Sequence, residues 1–437
     1  MNLEKIFYLV ASTVLVTVFV LIVFIFSPVS YEENMTMREK VIYYADNISP
    51  VMRKIVDRFN KENRGRIRVE TIDLPFEKFS TNERKELLAR YLRSKSNRID
   101  VFSVDIIWVP RFSRWAKPLN LLFDSTTAGG VVPYFLPTCY YGDSLVAVPH
   151  YIDIALMFYR DDLLKKVPGY EAYEKELASS ITWERFAALK SAVDLANNRV
   201  NKPFYVFQAE AYEGLMCSFV EVMANLNNPV VIKGGKFGSD SAKTARAIDF
   251  ITGLVHRIKL SPPEVTGMKE NQSYEYFFAN DAFAVRGWPG FMGRSNPSFK
   301  DEFRGKVKAA PVPHFEGSRP AQVFGGWNLM ISNLSQNVPE AMEFVEYLLS
   351  DEIQKLHYEE GNILPVKKSV YSDKKFIARH PELQFYQNLF HAGVYRPMFE
   401  NYTSVSDVIV HHLNEAIKAN SSSSEILPRI NSHFTGN

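Results

Sequence analysis

Between residues 41 and 105 the chain alternates strand, helix, strand, helix, strand, and this order constrains the fold more than any other feature. Val41-Ile42-Tyr43-Tyr44-Ala45 reads as a buried strand ending in Asp46-Asn47, with Ser49 as the cap and Pro50 as the first residue of a helix that puts Val51, Ile55 and Phe59 on one face. A second strand follows over Arg66 to Leu74, a second helix over Glu83 to Arg93, and a third strand over Ile99 to Val104, ending at Asp105. Alternation of this kind implies an α/β fold with a parallel sheet. In such sheets a ligand sits beyond the carboxyl ends of the strands, where Asp46, Asn47, Asp105 and Trp108 are expected to project. The first strand is not followed by Gly-x-Gly-x-x-Gly, and no Gly-Lys-Ser/Thr loop occurs, so the crevice lacks the cradle a nucleotide phosphate needs. For Asp46 and Asp105 the competing role is helix capping or turn formation.

With 437 residues, the chain is long enough for two or three domains. A net charge of +2 with acidic and basic residues interspersed argues against nucleic acid as a partner. Phe7 to Phe26 has the apolar length of a membrane span, with Lys5 before it and Glu32 and Glu33 after it, so an uncleaved anchor with an extracytoplasmic body is expected. Phe26-Ser27-Pro28-Val29-Ser30 is a poor cleavage site. Cys139 and Cys217 lie far from the apolar segment, which excludes a lipid-modified cysteine there, and two buried free thiols are expected. No Cys/His spacing suits zinc, His411-His412 reads as surface, and no cofactor is implied. The Ser421 to Ser424 run reads as a loop that breaks the last helix.

Phe324-Gly325-Gly326-Trp327 suggests a ligand pressed against backbone, since glycine lacks Cβ and an indole face covers the C–H side of a sugar; a strand bulge with a core tryptophan is the competing reading. Leu145 to Arg160 is long and extended, and Asp161-Asp162-Leu163-Leu164 then opens a helix. From Pro149 through Asp153 to Tyr159-Arg160 this segment resembles the lobe crossing of the extracellular solute-binding proteins of ABC importers, in the sugar-binding group that includes maltose- and trehalose/maltose-binding proteins. Tyr276 to Val285 with Gly287-Trp288-Pro289-Gly290, then Gly326-Trp327, Ala341 to Ser350, Gly361 to Val366, and Arg396-Pro397 with Tyr402, Val405 and Ser406 resemble later blocks of the family in order. Asn280 stands where the family often has Gly, and Arg286 replaces an apolar or small residue beside Trp288, which leaves the nature of the substrate open.

The resemblance implies two lobes, each a mainly parallel sheet flanked by helices, joined by hinge crossings. The expected division is 1–40 anchor and linker, 41–150 with 327–362 as lobe 1, and 151–326 with 363–437 as lobe 2. It places Asp105, Tyr151, Asp153, Trp288, Gly326, Trp327 and Arg396 at ligand-contacting positions. Carboxylates accept from vicinal hydroxyls, arginine donates a fixed fork, and indole faces cover the pyranose. A monomer that captures a sugar, closes, and docks on permease subunits is the implied mechanism. Taken singly, Trp288 could close a turn, Arg396 could form an ion pair inside one lobe, and Tyr151 could be an ordinary strand residue. Two other functions fit the same residues: a glycoside hydrolase using Asp105 and Asp153, and a membrane-tethered sugar sensor.

Overall fold

The computed structural model describes residues 3–25, 39–75, 78–79, 81–94, 99–123, 130–233, 236–294 and 296–434. Leu3–Ile25 forms helix α1, and the side chains described in it, residues 7–22, are almost all exposed. Among the described residues no helix is long and apolar enough to cross a membrane. The fold therefore does not establish the expected anchor, and residues 26–30, Glu32 and Glu33 lie outside the described residues.

The local signals after that act as read. Ser49 caps helix α2 (Pro50–Glu62), its hydroxyl accepting from the Met52 amide, and Val51, Ile55 and Phe59 are buried on one face. Strands β1 (Lys40–Asp46) and β2 (Ile67–Asp73) flank α2 in sequence; helix α3 (Thr81–Arg93) leads to β3 (Val101–Asp105). β1 runs parallel to both β2 and β3. Strand β4 (Val148–Ile154) belongs to this first sheet, and after the single residue Ala155 the chain continues as β5 (Leu156–Arg160) in a second sheet. This is the lobe crossing anticipated from the Pro149 to Arg160 segment.

The second lobe contains β6 (Tyr205–Val206), helices α4 (Glu213–Asn225), α5 (Ser241–His256) and α6 (Glu270–Ala279), and strands β7 (Ala284–Gly287) and β8 (Val307–Ala310). Its strand order is β8-β5-β7-β6. Here the expectation of a mainly parallel sheet is corrected: β5 is antiparallel to β7 and to β8, and only β6 and β7 are parallel. The chain enters this sheet along β5 and must run back along β8 to reach the first lobe, which forces the reversal. The return is β9 (Gln322–Ile331), a strand buried along its whole length and antiparallel to β3 and β4. Helix α7 (Val338–Leu348) then docks Phe344 against Tyr44 and Phe59, and α8 (Asp351–Gly361) follows.

Three short helices between Lys368 and Leu389 are tied to α8, through Lys355–Asp373, Ser369–Asp351 and His380–Glu359 contacts. Only after β10 (Gly393–Val394), which pairs with the start of β9, does the chain reach the second lobe. There α9 (Tyr402–Ala419) and α10 (Ser423–Ser432) pack on α4 and α5. The packing of residues 368–389 thus departs from the expected assignment of 363–437 to lobe 2. Ser421 to Ser424 is not a loop throughout: α9 ends at Asn420 in the left-handed conformation, and α10 begins at Ser423. Asn280 is an ordinary right-handed cap residue, and Asp281 carries the positive φ of 52°. Cys139 and Cys217 are buried free thiols, and burial pushes Cys217 up to about 12.

Candidate functional site

Asp105 ends β3 and performs two tasks at once. Oδ1 accepts the Ile107 amide at 3.1 Å, capping the following turn, and also accepts Arg396 Nη2 at 2.7 Å. The other arm of Arg396, Nη1, reaches Glu213 Oε1 at 2.9 Å on the first turn of α4. Glu213 is further held by the Tyr402 hydroxyl at 2.6 Å and the Ser406 hydroxyl at 2.7 Å. Arg396 is therefore not confined to one lobe. It bridges a first-lobe carboxylate to a second-lobe one, with 2% of its side chain exposed. Glu213 was not read from the sequence, although Arg396, Tyr402 and Ser406, all of which bind it, were. Burial pushes the Glu213 carboxyl up while Arg396 pulls it down.

Asp153 lies on β4 opposite Gly325 of β9. A Cβ on Gly325 would sit 3.1 Å from the Asp153 Cβ and 3.1 Å from the Trp288 ring, so Trp288, from the second lobe, lies over the glycine beside Asp153. Asp153 is half-buried. Burial first, and then the charges of Asp105 and Glu270, push it up to about 8 against the pull of Arg396. Asp105 and Glu270 act in the same direction as the desolvation, and Arg396 acts against it. Glu270, at the start of α6, lies one helical turn before Tyr274, whose hydroxyl accepts the Trp288 amide at 3.2 Å. Neither Glu270 nor Tyr274 was anticipated.

The other expected residues divide into two depths. Gly326 has φ 126° at the bulge between Trp327 and Asn328, and a Cβ there would meet the Tyr151 carbonyl oxygen at 2.6 Å. Its lack of a side chain is thus required by the neighbouring strand, and Trp288 occupies the clearance at Gly325. Trp327 is only 7% exposed, packs edge-to-face on the buried Trp108 at 5.5 Å, and carries the Arg84 guanidinium 4.3 Å from its ring centre. Trp108 belongs to the core, not to the crevice wall. Asp46 is buried as well, accepting from Asn47 and Tyr44 and facing Arg84 at 3.4 Å, so it supports Arg84 beneath Trp327. Burial pushes its carboxyl up. Asn47 is half-buried at the strand end. Tyr151 is half-buried, edge-on to His150 and His357, both buried and pushed down to about 3, hence neutral.

Arg286 does not modify the second-lobe surface. It is fully buried beneath Trp288, paired with Glu221 at 2.8 and 3.1 Å and with Gln208 at 3.2 Å. Further contacts join the lobes: Asn82 donates to Asp407 at 2.7 Å and Asn362 to the Pro289 carbonyl at 2.6 Å. Asp105, Asp153, Trp288 and Arg396 are thus brought together between two lobes that touch. Among the described residues no group of three or more His, Cys, Asp or Glu is placed to hold a metal ion.

Residues 45–355 match the family of bacterial extracellular solute-binding proteins. The chain belongs to this family. A probable ABC transporter-binding protein of Deinococcus radiodurans is 27% identical over 345 residues, which are 78% of this chain and 79% of that protein. Maltose-bound MalE3 of T. maritima aligns with a TM-score of 0.79 and 28% identity, over 90% of this chain and 98% of the other. The fold is also shared, at 18% identity and a TM-score of 0.75 over 91% and 97% of the two chains, with the GacH receptor of Streptomyces glaucescens. A solute-binding protein of Thermotoga lettingae solved with α-D-tagatose gives 20% identity and a TM-score of 0.76, over 91% and 98%. The family is one of extracellular solute-binding proteins, a substrate-binding rather than a catalytic class.

Proposed function

We propose that this solute-binding protein captures a sugar, a disaccharide or oligosaccharide, between its two lobes and presents it to the permease subunits of an importer. The single observation that carries this reading is Arg396, which ties Asp105 of one lobe to Glu213 of the other within the same crevice as Asp153 and Trp288. Such a group binds best when the lobes are closed, so ligand contact and closure favour one another. MalE3, crystallised with maltose, supports a sugar as the ligand class. Asp105, Asp153, Trp288 and Arg396 are the contacts, with Tyr151 and Asn47 at the edge; Trp327, Gly326, Asp46 and Trp108 shape the wall from behind.

The chain acts as a monomer outside the cytoplasm, without nucleic acid as partner. The exposed apolar side chains along α1 support attachment of the chain to the membrane surface. The first lobe takes 40–154 and 324–392, the second 155–323 and 393–434, a division supported by the packing of 368–389 on α8. Calorimetric titration with maltose, trehalose, cellobiose and their monosaccharides tests the proposal. Stoichiometric binding without turnover is expected. Hydrolysis would instead favour the glycosidase reading with Asp105 and Asp153, and capture without any effect on uptake in a reconstituted importer would favour the sensor.

A further inference from the structure

Trp288 caps a short turn, Pro289–Met292, that ends at Gly293. The second lobe holds this turn from beneath. Phe291 is buried, stacks on Tyr274 at 4.1 Å and meets Phe158 edge-on at 5.0 Å, while the Arg286 guanidinium lies 4.8 Å from the Trp288 ring centre. The outer face of the turn meets the first lobe at the end of α8. There Asn362 donates to the Pro289 carbonyl at 2.6 Å, and a Cβ built on Gly293 would stand 2.7 Å from the Gly361 carbonyl carbon and closer still to its oxygen. Each side is fixed in its own lobe. Gly361 is the buried last residue of α8, where a Cβ would already lie 3.0 Å from Ile363 and 3.7 Å from Val51 of α2, and Asn362 also reaches the Tyr386 hydroxyl at 3.4 Å.

Gly293 has φ −60° and ψ 142°, a conformation open to any residue. Its own turn brings no atom nearer to that Cβ than the Gly290 carbonyl oxygen at 3.1 Å. What excludes a side chain at 293 is therefore the carbonyl of the other lobe, and it does so only when the lobes are closed. Asn362 differs: at φ 51° and ψ 33° it ends α8 in the left-handed conformation, which glycine adopts as readily, so its side chain can be deleted without disturbing the helix end. We propose that Gly293 and Asn362 are positioning residues that latch the two lobes together and thereby set the Trp288 ring over Gly325 beside Asp153. Backbone packed on backbone has no rotamer through which to relax, so this contact fixes how far the crevice closes. The consequence for ligand affinity rests on the sugar-capture reading above; the latch itself does not.

The test places one thiol on each lobe away from the latch, Asn82→Cys with Asp407→Cys, at side chains 2.7 Å apart. Bridging of the pair by dibromobimane, which joins only closely apposed thiols, then reports closure of the full chain without any sugar. Cys139 and Cys217 are buried and do not compete. The parent pair bridges. Gly293→Ala slows bridging by roughly 5- to 100-fold, the range of an overpacked contact, and Asn362→Gly by roughly 2- to 10-fold, the range of one hydrogen bond. Melting temperatures stay within about 2 °C of the parent, because the open chain accommodates both changes. In calorimetry with maltose and cellobiose the dissociation constant rises by the same factors. A parent pair that does not bridge, or variants that bridge at the parent's rate, overturn the latch whatever the sugars do; a lower melting temperature with the parent's bridging rate shows a role in folding alone and overturns it too. Slowed bridging in both variants, with no sugar bound by the parent, upholds the latch and overturns the sugar reading instead.

Discussion

Replacing Arg396 with Met removes a buried charged group that both lobes share. In the folded chain its guanidinium contacts Asp105 at 2.7 Å and Glu213 at 2.9 Å, and each of those carboxylate side chains is 10% exposed. The variant leaves both acids enclosed, with Asp153 already nearby and short of a counter-charge. Breaking a buried ion pair from one side costs about 3–5 kcal/mol. Glu213 retains hydrogen bonds from Tyr402 and Ser406, and Asp105 retains the Ile107 amide, so the lower figure, about 3 kcal/mol, is the expected loss. At roughly 2–4 °C per kcal/mol for domains of this size, the melting temperature falls by roughly 6–12 °C in scanning calorimetry. Two companion variants separate closure from folding. Asp105→Asn removes the charge on the first-lobe side only, so the arginine stays anchored on the second lobe, and solution scattering registers a more open particle with a smaller thermal loss. Glu213→Gln weakens the anchor while Arg396 still reaches Asp105, and opens the particle less. An Arg396→Met protein with unaltered melting and a scattering curve that superimposes on the parent would refute the clamp.

Three other outcomes follow from the geometry. Trp288→Ala strips roughly 100 Å² of apolar contact from the ligand, worth about 2.5 kcal/mol at 25 cal/mol per Å², so sugar affinity falls by roughly fiftyfold in calorimetry; unchanged affinity would place the ligand elsewhere. The Asp153 carboxyl titrates at about 8 in the fold and near 3.9 in the unfolded chain, so between those values the native chain holds the extra proton. This group's contribution to stability is therefore largest in acid, declines as pH rises from about 4 to about 8, and is flat beyond, a few kcal/mol in all at 1.36 kcal/mol per unit. Asp153→Asn removes that decline, and a melting-temperature profile between about pH 5 and pH 9 that has the same slope in both proteins contradicts the assignment. Ser49→Ala deletes the cap of α2 and costs about 1 kcal/mol by thermal melting; no change would mean that Pro50 and the buried face alone hold that helix start.

Why part of the site was legible and part was not follows from range along the chain. Ser49-Pro50, the spacing of Val51, Ile55 and Phe59, and the strand ends at Asp46 and Asp105 are local signals, and each element formed within a residue or two of its reading. The glycines at 325 and 326 were also legible as places of close approach, but a single strand does not say what approaches: it is the Tyr151 backbone and the Trp288 ring. Trp327 and Trp108 have the chemistry of sugar platforms, and only the pairing of β9 with β3, more than 200 residues away in sequence, turns them toward each other and Arg84. Arg286 misled for the same reason, because its partner Glu221 lies 65 residues away on the buried helix α4. Glu213 is the sharpest case. Nothing in Tyr212-Glu213-Gly214 marks a site, yet Arg396, Tyr402 and Ser406 converge on its carboxylate from one terminal segment. Residues that serve a common partner share a surface before they share a motif, and Arg396, Tyr402 and Ser406, three polar groups within eleven positions, point to a buried charge opposite them. That inference runs from the neighbours to the missing acid, and it is the direction in which the clamp between the lobes can be found from sequence.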